Sequence, residues 1–357
     1  MKPAGPLGRL NAPEVTRAMR DVRRAVGRGM AGWSVVLVAL VAGQSWSAEL
    51  AFVSMRDGNP EVYAVRADGS GLRRLTRSDG EDTRPAWSPD GASIAFMSDR
   101  DGNQEIYVMD AQGRNARNIT RTAEAYEDRP CWSPDGRQLL FTTDRDGNSE
   151  IYACAPDGSG ARNITRIDSW DSMPAWSPAG DLIAWVADRA GNQDVWVAAP
   201  DGSGSRAVAT HEAWDGDPVF SCDGTKLAFR THRDGNISVY VHDVVTGAVA
   251  NVSGAEGWFE EPAWAPDGRR MAWAASPAGT RDAMVCDLAT GQQTNITSSP
   301  HNEWAPRWSP DGTMIAFLSD RSGETRLYVA QADGSGAVEV GGGPVRDVAP
   351  AWRPERP

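Results

Sequence analysis

Cysteine, histidine and positive charge are all scarce in this 357-residue chain. Its four cysteines are too few for a disulfide framework, and its four histidines show no H-x-x-x-H spacing of the kind that binds zinc. Lysine and arginine total 36 against 48 aspartates and glutamates, a net charge of −12. This balance excludes a general binder of the nucleic-acid backbone, because such a protein needs a basic face.

Long apolar runs are also missing. The most apolar stretch, residues 31–42, is shorter than the roughly 20 residues that a helix needs to cross a bilayer. Glycine, proline and tryptophan are plentiful instead, with 37, 23 and 15 copies. Many turn residues together with many large aromatic side chains favour short strands that are joined by tight turns and pack around buried rings.

The first 48 residues have the composition of a secretory signal peptide. Seven basic and two acidic residues precede the apolar stretch, and small residues follow it, with cleavage predicted near Ser47/Ala48. An uncleaved membrane anchor is the alternative. Removal of residues 1–48 leaves 29 basic and 46 acidic side chains, so the mature chain has a net charge of −17. We therefore predict a periplasmic or secreted protein.

The rest of the chain repeats with a period of 44 residues, apart from one interval of 45. Each period has one large aromatic anchor, and the first six anchors open a W-S-P-D-G motif or a variant of it. The anchors are Trp87, Trp132, Trp176, Phe220, Trp264, Trp308 and Trp352. Three further short apolar segments per period are bounded by Pro, Asp and Gly, as strands are. Four strands in every period predict the blades of a β-propeller.

The two ends of the repeat predict how the propeller closes. The last anchor, Trp352, has only five residues after it, whereas the first I-A-F type strand, at Phe52, has no anchor strand before it. The segment around Trp352 should therefore supply the innermost strand of the blade that contains Phe52, Tyr63 and Leu75, which removes exposed strand edges. We predict an all-β fold: a seven-bladed β-propeller of four-stranded blades, formed as one domain by residues 49–357.

The units W-S-P-D-G, I-A-F-x-S-D-R-D-G-N and E-I-Y-V recur along the chain, most completely between Pro85 and Thr120. They resemble the WD-like propeller repeats of the TolB family, and the resemblance covers the whole predicted mature chain. Members of that family have an α/β domain before a six-bladed propeller, whereas here the first blade strand follows the predicted signal directly. The resemblance implies a non-enzymatic scaffold that mediates protein–protein interactions in the cell envelope.

Acidic residues recur three positions before the repeated proline of each period. This position holds Asp82, Glu127, Asp171, Asp215, Phe259, Glu303 and Asp347, and the exception, Phe259, is followed by Glu260. In a propeller the loop that enters the innermost strand reaches one mouth of the central channel, so we expect a ring of carboxylates there. Such a ring concentrates negative potential, attracts a basic peptide segment or a divalent cation, and raises pKa values by mutual repulsion.

Aromatic residues stand beside the predicted ring. Tyr126, Trp170, Trp214 and Trp258 each lie one position before the acid position in consecutive periods, and Trp304 lies one position after it. They either fill gaps between loops or form an aromatic wall suited to a protein loop, a cationic segment or a sugar face. We predict that the acidic ring and these aromatic residues together bind the partner.

Other interpretations of the same mouth remain open. A lyase-like enzyme or a carbohydrate-binding propeller could use it, although no G-x-S-x-G elbow occurs. The D-x-D-x-N-x-E pattern at residues 99–105 places oxygen ligands as calcium loops do, but its glycine is at the fourth position and not the sixth.

We predict a monomeric binding protein with no catalytic residues and no required cofactor. The one metal that the sequence suggests is calcium, bound in the central channel. Its predicted partner is an envelope protein or peptide segment of basic character. Neither nucleic-acid binding nor a membrane span after signal removal is expected.

Overall fold

The structure is a computed structural model of the chain. It describes residues 46, 48–189, 191–208, 211–254, 257–276 and 279–355. The predicted signal peptide therefore lies outside the described residues, except for Trp46 and Ala48. The regular secondary structure described consists of 28 strands in seven four-stranded antiparallel sheets. Within these residues no helix is long and apolar enough to cross a membrane.

Each sheet is one blade: blade 1 joins the two ends of the chain, and blades 2 to 7 follow in sequence. The innermost strands of blades 1 to 7 are β28 (Ala351–Trp352), β4 (Asp82–Trp87), β8 (Glu127–Trp132), β12 (Trp170–Trp176), β16 (Asp215–Phe220), β20 (Phe259–Trp264) and β24 (Glu303–Trp308). The second strands are β1 (Glu49–Ser54), β5 (Ser93–Ser98), β9 (Leu139–Thr143), β13 (Ile183–Asp188), β17 (Lys226–Thr231), β21 (Arg270–Ala275) and β25 (Met314–Ser319). The third strands are β2 (Glu61–Arg66), β6 (Glu105–Asp110), β10 (Glu150–Cys154), β14 (Gln193–Ala198), β18 (Ser238–Asp243), β22 (Asp282–Asp287) and β26 (Arg326–Gln331). The outer strands are β3 (Arg73–Arg74), β7 (Arg117–Asn118), β11 (Arg162–Asn163), β15 (Arg206–Ala207), β19 (Val249–Asn251), β23 (Gln292–Asn295) and β27 (Val338–Val340).

The blades close into a ring. Each innermost strand from β4 to β24 contacts the innermost strand of the next blade, and β28 contacts both β24 and β4. The predicted closure is confirmed, because β28 pairs with β1 through Leu50–Trp352 and Ala51–Ala351. The seven-bladed, all-β prediction is confirmed as well.

The anchor tryptophans join neighbouring blades. The indole N–H of an anchor donates to a backbone carbonyl of the preceding blade in four cases: Trp87 to Ala351 (3.2 Å), Trp132 to Ala86 (3.0 Å), Trp264 to Val219 (3.0 Å) and Trp352 to Arg307 (2.9 Å). The hydrophobic clusters also form between blades: Val62 and Leu75 of blade 1 pack with Trp87 and Phe96 of blade 2. These four anchors therefore link neighbouring blades.

The turns follow the local sequence. In the S-P-D-G turns, Asp90 and Asp135 accept the backbone N–H two residues later, at 2.9 and 3.0 Å, which is the hydrogen bond of an Asx turn. In the hairpins at the other end of the strands, Gly102 and Gly147 have φ of 104° and 99°, which glycine adopts without steric cost. The hairpins and the loops that enter the innermost strands lie at the same end of the blades and surround one mouth of the channel.

Candidate functional site

Five carboxylates of the predicted ring lie inside their own blades. All five are fully buried, and each faces the arginine that follows 18 residues later. The oxygen-to-nitrogen distances are 2.7 Å for Asp82–Arg100, 3.1 Å for Glu127–Arg145, 3.6 Å for Asp171–Arg189, 2.8 Å for Asp215–Arg233 and 3.0 Å for Glu303–Arg321. The structure therefore places these carboxylates in buried ion pairs, and their role in partner binding stays a prediction.

The paired arginines are also held by aromatic rings. In blade 5 the Arg233 guanidinium lies 5.3 Å from the ring centre of Phe229 and 4.7 Å from that of Tyr240. Its Nε donates to Thr231 Oγ1 at 3.0 Å. The arginines of blades 2, 3, 4 and 7 stack in the same way on their own blades. Acid, arginine and the two rings form one unit in each of these blades, which we call the blade clamp.

Blade 6 lacks the clamp. Phe259 takes the place of the acid and packs edge-to-face against Trp273, with ring centres 6.2 Å apart. Eighteen residues later the sequence has Pro277 in place of the arginine. Acid and arginine are thus lost together, as expected if each needs the other to be buried without cost.

The other residues predicted at the acid positions are accessible. Glu260 is partly buried and lies 3.6 Å from both Arg230 and Arg281. Asp347 is exposed and accepts the indole N–H of Trp304. Trp304 itself is buried, with the Arg281 guanidinium 4.9 Å from its ring centre. Trp304 is therefore part of the core packing, whereas Asp347 and Glu260 are accessible to solvent.

Burial sets the protonation of the clamp carboxyls. It raises the pKa of Glu127 to about 7 and that of Asp215 to about 6, against the opposing effect of hydroxyl donors and the paired arginines. Burial raises the pKa values of Asp82 and Asp171 as well. The expected rise in pKa is present, but its largest cause is desolvation within the blade and not repulsion around a ring.

These pKa values predict a fold that loses stability as the solution becomes neutral. A carboxyl whose pKa is raised in the folded state makes its full contribution to stability at pH values below its unfolded-state pKa. This contribution is lost as the pH rises through its folded-state pKa. Urea titrations should show the free energy of unfolding falling between about pH 5 and 7, by up to ~1.4 kcal/mol per pH unit for each carboxyl. Glu127→Gln should flatten this slope. Asp201→Asn, which changes an exposed turn residue whose pKa is lowered, should keep the slope. Equal slopes for wild type and Glu127→Gln would contradict the effect of burial on Glu127.

In blades 2 and 3, the aspartate that directly precedes the clamp arginine in the sequence positions residues at the mouth. Asp144 accepts the backbone N–H of Tyr126 at 2.7 Å, and the next residue, Arg145, binds Glu127. Asp99 accepts the backbone N–H of Glu81 at 2.6 Å in the same way. The aspartate and the arginine that follows it therefore hold the loop that enters the innermost strand of the same blade.

Four aromatic residues form an arc over one side of the mouth. The position before the acid holds Tyr126, Trp170, Trp214 and Trp258 in blades 3 to 6, and we call this set the aromatic arc. Tyr126, Trp170 and Trp258 are 43%, 40% and 56% exposed. Blades 7, 1 and 2 have Asn302, Arg346 and Glu81 at this position. The mouth thus has an accessible apolar side and a polar side.

Trp214 is the most firmly held member of the arc. Its indole N–H donates to Gln193, and its ring meets His232 edge-to-face at 5.6 Å. The Arg230 guanidinium lies 5.2 Å from the ring centre. The ring covers Gly216, where any Cβ would overlap it. Glycine at this position therefore allows the indole to lie against the innermost strand.

A set of channel residues was missed by the sequence analysis. Two positions after the acid, each innermost strand of blades 2 to 7 has a β-bulge, at which two residues oppose one on the second strand. The first bulge residue has φ between 48° and 59° in all six blades: Arg84, Arg129, Met173, Asp217, Glu261 and Ala305. Bulges redirect side chains, and a left-handed backbone strains a residue other than glycine by about 1 kcal/mol.

The bulge residues face one another across the channel. Asp217 of blade 5 acts electrostatically on Arg129 of blade 3 and on Glu261 of blade 6. Positive side chains stand in blades 2 and 3, as Arg84 and Arg129, and negative ones stand opposite, in blades 5 and 6. The channel is therefore polarised and not uniformly acidic.

The loops with the calcium-like pattern are held by their own hydrogen bonds. Asp101 accepts the hydroxyl of Tyr107 and the side-chain amide of Asn118, and Glu105 accepts the hydroxyl of Thr120. Among the described residues no group of three or more His, Cys, Asp or Glu side chains is arranged to hold a metal. The oxygen atoms of this loop are thus engaged by protein donors.

Comparison with protein families agrees with this architecture. The family model described as the TolB beta propeller domain matches residues 44–129, 122–217 and 197–356. The chain belongs to the TolB β-propeller domain family. The family resemblance inferred from the repeats is therefore confirmed.

Individual relatives show how far the TolB likeness extends. The Tol-Pal system protein TolB of Desulfosudis oleivorans is 41% identical over 46 residues, 13% of this chain and 10% of that protein, so the match spans a tenth of the relative's length. The crystal structure of TolB from Acinetobacter baumannii matches with a TM-score of 0.58 and 21% identity, over 89% of this chain and 70% of that one. An oligogalacturonate lyase in complex with manganese matches with a TM-score of 0.66 and 19% identity, over 80% and 86%. At such identities the structural likeness shows the fold alone.

Proposed function

We propose that this TolB-family propeller is an exported binding protein of the cell envelope, and that it holds a protein partner against the aromatic arc without catalysis. The observation that carries the proposal is the exposure of Tyr126, Trp170 and Trp258 at equivalent positions of blades 3, 4 and 6. Tryptophan and tyrosine supply most of the binding energy in many interfaces, and exposed aromatic clusters mark such surfaces. The Tol-Pal name of one relative supports an envelope location.

The partner segment should combine an apolar surface with a basic group. Partly exposed Asp217 and Glu260 belong to blades 5 and 6, as do two members of the arc, and exposed Asp347 lies on the polar side of the mouth near Trp304. A lysine or arginine of the partner would reach these carboxylates. A net charge of −17 on the mature chain would also attract a basic partner over long range. Binding through these charges should weaken at high salt.

Capture of the partner by paired variants tests the proposal. Trp170→Ala/Trp258→Ala removes two exposed rings of the arc, and Leu72→Ala/Val245→Ala removes two exposed apolar side chains elsewhere. We expect wild type and the control to retain one envelope protein, quantified by mass spectrometry, and the arc variant to retain at least tenfold less. Thermal unfolding should be the same for all three. Equal capture by the arc variant would refute the proposal.

The alternative, an enzyme or carbohydrate-binding propeller, predicts a different result at the same surface. A saccharide would then bind the mouth of the purified chain without any protein partner, and the arc variant would lose that binding. Turnover of oligogalacturonate, the substrate named for one structural relative, would favour the enzyme over the scaffold.

A further inference from the structure

Two arginines share one carboxylate on the channel wall. Arg84 of β4 and Arg129 of β8 occupy the bulge position in neighbouring blades. A carboxylate oxygen of Asp128 lies 2.6 Å from Nε of Arg84, and the other lies 3.7 Å from Nε of Arg129. Asp128 is buried, whereas the two arginine side chains are 37% and 34% exposed. This wall therefore has one positive charge in excess, at a surface that solvent reaches.

The guanidinium groups of this pair are only partly engaged. Both approach Asp128 most closely through Nε, and within the described ranges neither donates a hydrogen bond of good geometry. Burial and the charge of Arg84 lower the pKa of Arg129, against the opposing effects of Asp128 and Asp217. The terminal nitrogens of the two groups are thus left for a ligand.

Two arginines of blades 5 and 6 are better neutralised. Arg230 of blade 5 lies 2.5 Å from Asp217 and 3.6 Å from Glu260, so two carboxylates meet one guanidinium. Arg281 adds a second contact to Glu260 at 3.6 Å. The excess of positive charge is therefore local to blades 2 and 3 and is not a property of the whole channel.

The arginine pair adjoins one end of the aromatic arc. Burial and Asp128 raise the pKa of Tyr126, whereas Arg84 and Arg129 lower it. The phenol is therefore within interaction range of all three charged groups. A ligand seated on the arc would bring any group at this end of it to the two arginines.

We propose that Arg84 and Arg129 form a carboxylate-binding subsite at the channel mouth, beside Tyr126. A guanidinium presents parallel N–H donors that match the two oxygens of a carboxylate. One negative charge on the ligand balances the single excess positive charge, which favours a carboxylate over a doubly charged phosphate. The inference rests on the proposed function, because it adds an acidic group to the ligand that the arc holds.

Calorimetric titration of the purified full-length chain with matched probes tests the subsite. One pair of probes is N-acetyl-Phe-Phe-Glu-amide and its Gln counterpart, and the other is trigalacturonate and its methyl ester. The two members of each pair differ only in whether they have free carboxylates. A difference in affinity within the peptide pair indicates a peptide acid, and a difference within the sugar pair indicates a sugar acid. Wild type should bind the acidic member of at least one pair about tenfold more tightly than the neutral member.

Three variants make the test specific. Arg129→Gln should reduce the preference for the acidic probe to within about twofold, while Asp128 keeps its contact with Arg84. Asp128→Asn should strengthen acidic binding, because it removes the competing carboxylate. Arg137→Gln changes an 85% exposed arginine on a turn at the other end of the blade and should match wild type.

Several outcomes would overturn the subsite: equal binding of acidic and neutral probes to wild type, an undiminished preference in Arg129→Gln, or no acidic probe bound at millimolar concentration. The proposed function is tested separately by partner capture. If the arc variant loses the partner while Arg129→Gln shows no change in any titration, the binding role stands and the subsite falls.

Discussion

Replacing Arg233 by alanine should lower the free energy of unfolding by about 3–5 kcal/mol at neutral pH. The variant leaves the fully buried Asp215 without its cation and removes the side chain that stacks over Phe229 and Tyr240. Urea denaturation followed by tryptophan fluorescence measures the loss. The loss should be smaller near pH 5, because burial raises the pKa of Asp215 to about 6 and the unpaired carboxyl then takes up a proton.

A surface pair and a double variant serve as controls. Arg269→Ala breaks a 2.6 Å ion pair with Asp287 in which the arginine is 58% exposed, and it should cost less than about 1 kcal/mol. Asp215→Phe/Arg233→Pro copies the residues of blade 6 and should recover part of the stability that Arg233→Ala loses. If Arg233→Ala and Arg269→Ala cost the same, the clamp is not a buried ion pair in solution.

Replacing Trp352 by alanine should destabilise the protein by about 3–5 kcal/mol. Trp352 is the last residue of a closing strand only two residues long, and it packs with Leu50 and Phe52 from the other end of the chain. Its indole N–H also donates to the carbonyl of Arg307 at 2.9 Å, which links blade 1 to blade 7. Thermal and urea unfolding measure the loss. Loss of this side chain should also expose strand edges, so the variant should aggregate when heated more readily than wild type.

Trp258→Ala is the control that separates the effect of losing the blade closure from the effect of losing any large aromatic side chain. Trp258 is 56% exposed, and its removal should change the free energy of unfolding by about 0.5 kcal/mol or less. If the two variants lost similar free energies of unfolding, the stability of the propeller would not depend on closure by β28.

Most of the fold could be predicted because its determinants are periodic. The anchor tryptophans recur at nearly constant spacing, and the unpaired ends at Phe52 and Trp352 imply that they meet. The turn aspartates and glycines act through local geometry that sequence alone conveys. Apart from this closure, the propeller could be predicted without knowing any contact between residues distant in sequence.

The site was harder to predict because its chemistry depends on register. Asp215 pairs in register with Thr231, so Arg233, two residues past the strand, returns to the carboxylate. The matched change at Phe259 and Pro277 was a signal of this pair, but the 18-residue spacing acquires meaning only once the hairpin is known. The bulge is less visible still, since an arginine such as Arg129 gives no sequence cue for a left-handed backbone.

The innermost strands separate the residues that maintain the ring from those that meet a ligand. Within a few consecutive positions, the acid belongs to the blade clamp, whereas the residue before it lies at the mouth and the bulge residue two positions later lies in the channel. Mutation can therefore diversify the mouth one blade at a time without weakening the ring. Among propellers built in this way, we expect ligand preference to diverge faster than the fold, so the side chains at these few positions should be a better guide to specificity than overall sequence similarity.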